Sequence, residues 1–138
     1  MGKRKRNTAL KIKKKNKTKF YSYIKNVRIS PRKIRNLINL IKGKKVLTAI
    51  EILKNYISYK KSKILINLIL STISNYKIKT GKKDIKNLYI YSLIVNSSGI
   101  IKRVKYAPQG RINEIRKRLS IIKLEIKNKN GTKIKSNI

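Results

Sequence analysis

A formal net charge of +35 at pH 7, from 39 Lys and Arg against 4 Asp and Glu, is what most limits the folds open to these 138 residues. So many like charges in one compact body repel one another, and the simplest expectation is a polyanionic partner that supplies counter-charge. Nucleic acid leads that class. The length suits one domain with appendages, because a core drawn from about 100 residues still buries most of its apolar surface. Two large domains are excluded.

The chain contains neither Cys nor His, which removes thiolate and imidazole metal ligands, cysteine nucleophiles, Ser-His-Asp triads and every disulfide framework. The acids Glu51, Asp84, Glu114 and Glu125 are far apart, and no two share a helix face at i, i+3 or i+4. The chain therefore reads as no enzyme, with no catalytic residue, no metal site and no cofactor. No run approaches the roughly 18 apolar residues of a membrane span; Ile64 to Leu70 is broken by Asn67 and followed by Ser71, Thr72 and Ser74. The basic N-terminus has no apolar segment behind it and is Lys-rich and Ser-poor, unlike a secretory or transit signal. The expected location is the cytoplasm, without a membrane partner.

Lys, Ile and Asn account for 30, 26 and 14 residues, and their codons are rich in A and T. An AT-rich genome explains this bias, and it makes each Lys or Ile weak evidence for anything beyond "basic" or "apolar". The nine Arg carry more information. They cluster as Arg4 and Arg6; Arg28, Arg32 and Arg35; and Arg103, Arg111, Arg116 and Arg118. Guanidinium grips phosphate bidentately and stacks on bases, so these sites are the first choices for specific RNA contact.

Residues 1–19 hold ten basic residues and no acid, with Leu10 and Ile12 as the large aliphatics. They read as an N-terminal arm, either ordered on a polyanion or merely solubilising. Phe20 to Ile29 alternates as a strand does. Ser30-Pro31 then marks a helix start, with Ser as cap. Ile34, Leu37, Ile38 and Ile41 follow at core spacing, and Arg32, Arg35, Asn39 and Lys42 take the opposite side. Gly43 stops that helix in the left-handed manner. Val46, Ala49, Ile50 and Leu53 define a second helix. A third runs from a Ser58 cap to about Lys79, with Ile64, Leu65, Leu68, Ile69, Thr72, Ile73 and Tyr76 inward.

The last third changes period. Leu88 to Val95 is a β-branched and aromatic run, Ser97-Ser98-Gly99 is a turn signal, and Ile100 to Tyr106 and Ile112 to Ile126 are further strands. These strands predict a three-stranded antiparallel meander. Between Lys102 and Arg118 the apolar alternation is thin and the basic residues are dense, so this hairpin lacks an apolar face for its own domain and is expected to project toward a polyanion. A loose surface loop is the competing reading. The predicted fold class is α+β: three helices on a three-stranded antiparallel sheet, with a long projecting β-hairpin and basic terminal arms. The domain spans 20–127 and includes hairpin 102–118, and residues 128–138 form a basic tail.

Val27-Arg28-Ile29-Ser30-Pro31-Arg32-Lys33-Ile34-Arg35, then Leu40-Ile41-Lys42-Gly43-Lys44-Lys45-Val46 with Ala49 and Leu53, resembles the first-helix signature of large-subunit ribosomal protein family twenty-two, bacterial type. Ala107-Pro108-Gln109-Gly110-Arg111, continuing to Ile115-Arg116-Lys117-Arg118 and Ser120, resembles that family's hairpin tip and descending arm. The resemblance covers residues 20–127. It implies a non-enzymatic constituent of the large ribosomal subunit that binds ribosomal RNA early in assembly. It also implies a hairpin lining the nascent-peptide exit tunnel, near a constriction shared with ribosomal protein four of the same subunit.

Carried over by residue, Arg28, Arg32, Lys33, Arg35, Lys44 and Lys45 hold RNA at the globular end, and Arg103, Lys105, Arg111, Arg116, Lys117 and Arg118 hold it along the hairpin. Ala107, Pro108, Gln109 and Gly110 face the tunnel and the passing nascent peptide. Ser71-Thr72-Ile73-Ser74-Asn75 is bulkier than the Ala-rich segment common at that place, and Ile121 stands where members often have His. The implied location is ribosome-bound in the cytoplasm of an AT-rich, host-restricted bacterium, ahead of a plastid stroma. The alternative from another class is an architectural DNA-binding protein, which charge alone allows but which no helix-turn-helix or zinc module supports. A nuclease has no nominated site, and a membrane-active peptide has no single interfacial helix.

Overall fold

The computed structural model describes residues 2–17, 19–81 and 84–128. In chain order these form helix α1 (Lys3–Lys17), strand β1 (Phe20–Val27), helices α2 (Pro31–Ile41), α3 (Val46–Lys54) and α4 (Tyr59–Thr80), and strands β2 (Leu88–Tyr106) and β3 (Ile112–Asn128). The class is α+β. Helices α2, α3 and α4 form where the apolar spacing placed them. The fourth, α1, lies in the segment expected to be an arm. It has helical backbone because Lys3 to Lys17 contains no Gly or Pro and is rich in Lys and Arg, which are good helix formers. Residues 2–10 and Ile12 are exposed, so α1 adds nothing to the core through them. Of the basic tail expected at 128–138, Asn128 ends β3 and residues 129–138 lie outside the described residues.

The sheet differs from a meander. Its strand order is β1-β3-β2, with β3 central and antiparallel to both neighbours. What read as two strands around a Ser97-Ser98-Gly99 turn is one 19-residue strand. Its register slips there: Ser97 pairs with Ser120 and Ile100 with Arg118, so β2 carries one more residue than β3. That is a β-bulge, which uses the same small residues as a turn but bends the strand without reversing it. The third place in the sheet belongs to β1, from Phe20↔Ile126 to Val27↔Ser120, with a matching slip between Ile24 and Val27 around Asn26 at φ +56°. The strand expected over 20–29 ends at Val27.

Inward-facing Phe20, Ile90, Leu93, Val95, Ile122, Leu124 and Ile126 meet Ile34, Leu37 and Ile41 of α2, Val46, Ala49 and Leu53 of α3, and Leu65, Leu68, Ile69, Ile73 and Tyr76 of α4 in one buried cluster. Each fully buried aliphatic side chain of this set is worth roughly 1.5–3 kcal/mol of transfer free energy. Phe20 and Tyr76 meet edge to face at 4.9 Å between ring centroids. Ser22 of β1 and Thr72 of α4 hydrogen-bond each other, and each hydroxyl also lies within hydrogen-bond distance of the Leu68 carbonyl, so the one polar spot in this contact is satisfied internally.

The helix ends follow local chemistry with one exception. Gly81 takes φ +67° at the end of α4, and Gly43 takes φ +76° in the tight turn in which the Lys44 N–H donates to the Ile41 carbonyl. The Gly43 N–H also donates to the Ile90 carbonyl, tying that turn to the start of β2. The exception is that Ser30 and Ser58 occupy the N-cap positions without a side-chain cap hydrogen bond. Pro31 supplies the preset φ for α2 instead.

Candidate nucleic-acid interface

Helix α2 buries Ile34, Leu37, Ile38 and Ile41, and this turns Arg32 and Arg35 outward on the side nearest β2 and β3. Arg35 is held there by its Nη2 donating to the Val95 carbonyl at 3.4 Å. On β3, Arg116 and Arg118 are two residues apart and share a face. The two pairs converge. A cleft of about 520 Å³ is lined by Ser30, Pro31, Arg32, Arg35, Ser97, Arg116 and Arg118, with no acid in its wall. Four guanidinium groups around an open cleft match the charge and fork geometry of phosphate oxygens.

Beyond the bulge at Ser98, β2 and β3 continue as a two-stranded ribbon from Ile100↔Arg118 to Tyr106↔Ile112, on the order of 20 Å at about 3.4 Å per residue. From Lys102 to Arg118 every residue except half-buried Ala107 is exposed. The register puts Lys102, Arg116 and Arg118 on one face and Arg103, Lys105 and Lys117 on the other, so both faces are cationic. Glu114 is the acid within this ribbon. It pairs with Lys102 at 3.1 Å and with the Arg116 Nε at 2.9 Å. The Lys102 ammonium and then the Arg116 guanidinium hold its carboxyl below the ordinary value of 4.5. Glu114 thus aims Arg116 as it staples the strands.

At the tip the Ala107 N–H donates to the Arg111 carbonyl at 2.9 Å, and Gln109 and Gly110 take φ +61° and +68°. Gly suits that conformation; Gln rarely adopts it.

Of the remaining residues named from sequence, Arg28, Lys33, Lys44 and Lys45 are exposed but do not line the cleft. Lys44 and Lys45 instead lie along β2, where the Ile90 N–H donates to the Lys44 carbonyl and Lys45 bridges to Tyr89. Sequence reasoning counted Lys102 among the basic residues of the hairpin without naming it as an RNA contact, and it overlooked Ser97 as part of the cleft. The pairing of Lys102 with Glu114 shows its place in the ribbon, and Ser97 is visible only once the apparent turn is known to be a bulge. Among the described residues no cluster of three metal-binding side chains occurs, and no helix is long and apolar enough to cross a membrane.

The ribosomal protein L22p/L17e family matches residues 22–127, which include β1 from Ser22 onward, the four-arginine cleft and the whole cationic ribbon. The chain belongs to that family. It is similar to the large ribosomal subunit protein uL22 of Karelsulcia muelleri, 38% identical over 118 residues that cover 86% of this chain and 87% of the relative. The uL22 of Flavobacterium psychrophilum is 36% identical over 134 residues, with 96% and 97% covered, and that of Bacteroides fragilis is 33% identical over 132 residues, with 95% and 96% covered. A member of the L22p/L17e family is a structural component of the large ribosomal subunit and not an enzyme. As such it associates with the ribosome, among ribosomal RNA and other ribosomal proteins.

Proposed function

We propose that this chain binds large-subunit ribosomal RNA early in subunit assembly, clamps it in the four-arginine cleft, and extends its β2–β3 hairpin between RNA segments to the nascent-peptide tunnel. The observation that carries this reading is the convergence of Arg32 and Arg35 with Arg116 and Arg118, from segments about eighty residues apart, at the root of a ribbon cationic on both faces. Such a ribbon has no core of its own, and RNA on both sides supplies the contacts that it lacks.

In this reading Arg28, Lys33, Lys44 and Lys45 meet RNA around the globular part, and Arg103, Lys105, Arg111 and Lys117 meet it along the hairpin. The tunnel position rests on the likeness of Ala107-Pro108-Gln109-Gly110-Arg111 to the family's hairpin tip. There the tip faces the nascent peptide and stands near ribosomal protein four. Helix α1 and the C-terminal tail act as basic arms on either side of a domain spanning 20–127. The Lys, Ile and Asn excess fits an AT-rich bacterial source.

Replacing Arg116→Glu and Arg118→Glu together tests the proposal. The domain should stay folded by circular dichroism while large subunits accumulate as incomplete particles. Normal subunit assembly by the folded variant would remove the hairpin and cleft from the mechanism.

A further inference from the structure

The helices cover one side of the sheet. On the other, β1 presents Tyr21 and Tyr23, and β3 presents Ile121, Lys123, Glu125 and Lys127. The slip in register between Ile90 and Ser92 gives β2 an extra residue there. Tyr91 lies in that slip, and its ring lies 3.1 Å from the Lys127 Nζ, which places it on the same outward side. Tyr21, Tyr23 and Tyr91 are 47%, 52% and 50% exposed, so about half of each residue's surface is open to solvent. A cleft of about 460 Å³ lies among Tyr21, Tyr23, Ile94, Ile121 and Lys123.

The charge around these rings is mainly positive. Lys25 Nζ stands 5.5 Å from the Tyr23 ring centroid, and Lys79 Nζ stands 5.8 Å from that of Tyr21. Lys19 and Lys123 complete the wall, and Glu125 is its acid. Flat aromatic rings on an open sheet, each beside an ammonium, combine a stacking surface for a base with a counter-charge for its phosphate. A duplex keeps its bases stacked on one another and offers them no ring to cover, whereas an unpaired loop or bulge can splay its bases onto them.

We infer that this open face is a second RNA surface, distinct from the four-arginine cleft, that stacks unpaired bases on Tyr21, Tyr23 and Tyr91. The inference rests on the RNA-binding reading above and specifies the RNA it takes at this face. Four features support it: three half-exposed tyrosines on one side of the sheet, ammonium groups against all three rings, a cleft lined by Tyr21 and Tyr23, and a wall with more cations than acid.

The test uses the full chain at one fixed salt concentration at which both RNAs still bind, with a single-stranded RNA oligonucleotide and a duplex of equal length. Tyr21→Ser with Tyr23→Ser should weaken single-strand binding by about tenfold or more, since two base–aromatic stacks together exceed that ratio, and should leave duplex binding nearly unchanged. Tyr21→Phe with Tyr23→Phe should restore single-strand binding, because the ring is kept. Single-strand affinity unchanged in the Ser variant would overturn the inference and point to a protein as the occupant of this face. Equal weakening in the Phe variant would overturn stacking as its basis. Arg116→Glu with Arg118→Glu is the control: if it weakens binding of both RNAs while the Ser variant does not, only the stacking surface fails; if it weakens neither, the RNA reading itself fails.

Discussion

Ser98 donates its hydroxyl to the Asn26 side-chain oxygen at 2.7 Å, joining two bulges that lie 72 residues apart in sequence. Both bulges stand opposite Ser120 of the central strand, which pairs with Val27 on one side and Ser97 on the other. Ser120 is fully buried. This is the joint at which a three-stranded sheet with a core becomes a two-stranded ribbon without one.

The backbone at Asn26 predicts an order among substitutions. With φ at +56°, Asn26→Gly keeps the bulge and loses the hydrogen bond, for a cost of about 1 kcal/mol. Asn26→Val adds the left-handed penalty for a β-branched residue and should cost about 1–2 kcal/mol more. Urea unfolding followed by circular dichroism measures both; equal losses would mean that the positive φ is not the constraint.

The cleft predicts a separation of charge from geometry. Arg32→Lys with Arg118→Lys keeps the number of cations, so the salt dependence of RNA binding should hold its slope while affinity falls through loss of the bidentate fork. Arg32→Gln with Arg118→Gln should lower that slope by about 0.7 to 0.9 for each phosphate that is no longer neutralised. Filter binding across a salt series distinguishes the two, and indistinguishable slopes for the Lys and Gln pairs would exclude direct phosphate binding.

Glu114 makes the ribbon sensitive to acid. Its carboxyl titrates below 4.5 when folded because Lys102 and Arg116 favour its charged form. A depressed folded value means that the contribution is present above the unfolded value and is lost as pH falls through the folded one. Cross-strand nuclear Overhauser effects between Val104 and Glu114 should therefore persist at neutral pH and weaken on acidification. Glu114→Gln should weaken them at neutral pH and abolish that pH dependence.

Tyr76 offers a prediction of the opposite sign. Its hydroxyl is buried without a hydrogen-bond partner among the described residues, while its ring packs on Phe20. Tyr76→Phe keeps the ring packing and removes a desolvated polar atom, so stability should be unchanged or rise by about 1 kcal/mol. A clear loss in urea unfolding would show that the hydroxyl has a partner.

Composition and periodicity alone determined a good deal about this protein: the polyanionic partner, the absence of cysteine and histidine chemistry, and helices α2, α3 and α4 with their inward faces. These are local properties. Apolar spacing of 3.6 residues, Gly at a positive φ and Pro at a helix start act within a few residues of chain. The arginine clusters were legible for the same reason, since side-chain chemistry needs no fold to be recognised.

Two features belonged to the tertiary structure. Ser97-Ser98-Gly99 has the composition of a turn and forms a bulge, because β3 pairs with β2 on both sides of it and the third strand comes from Phe20–Val27. The convergence of Arg32 and Arg35 with Arg116 and Arg118 likewise depends on α2 packing against the sheet beside that bulge. Strand partnership and side-chain convergence are set by burial between segments distant in sequence, and no local signal carries that choice.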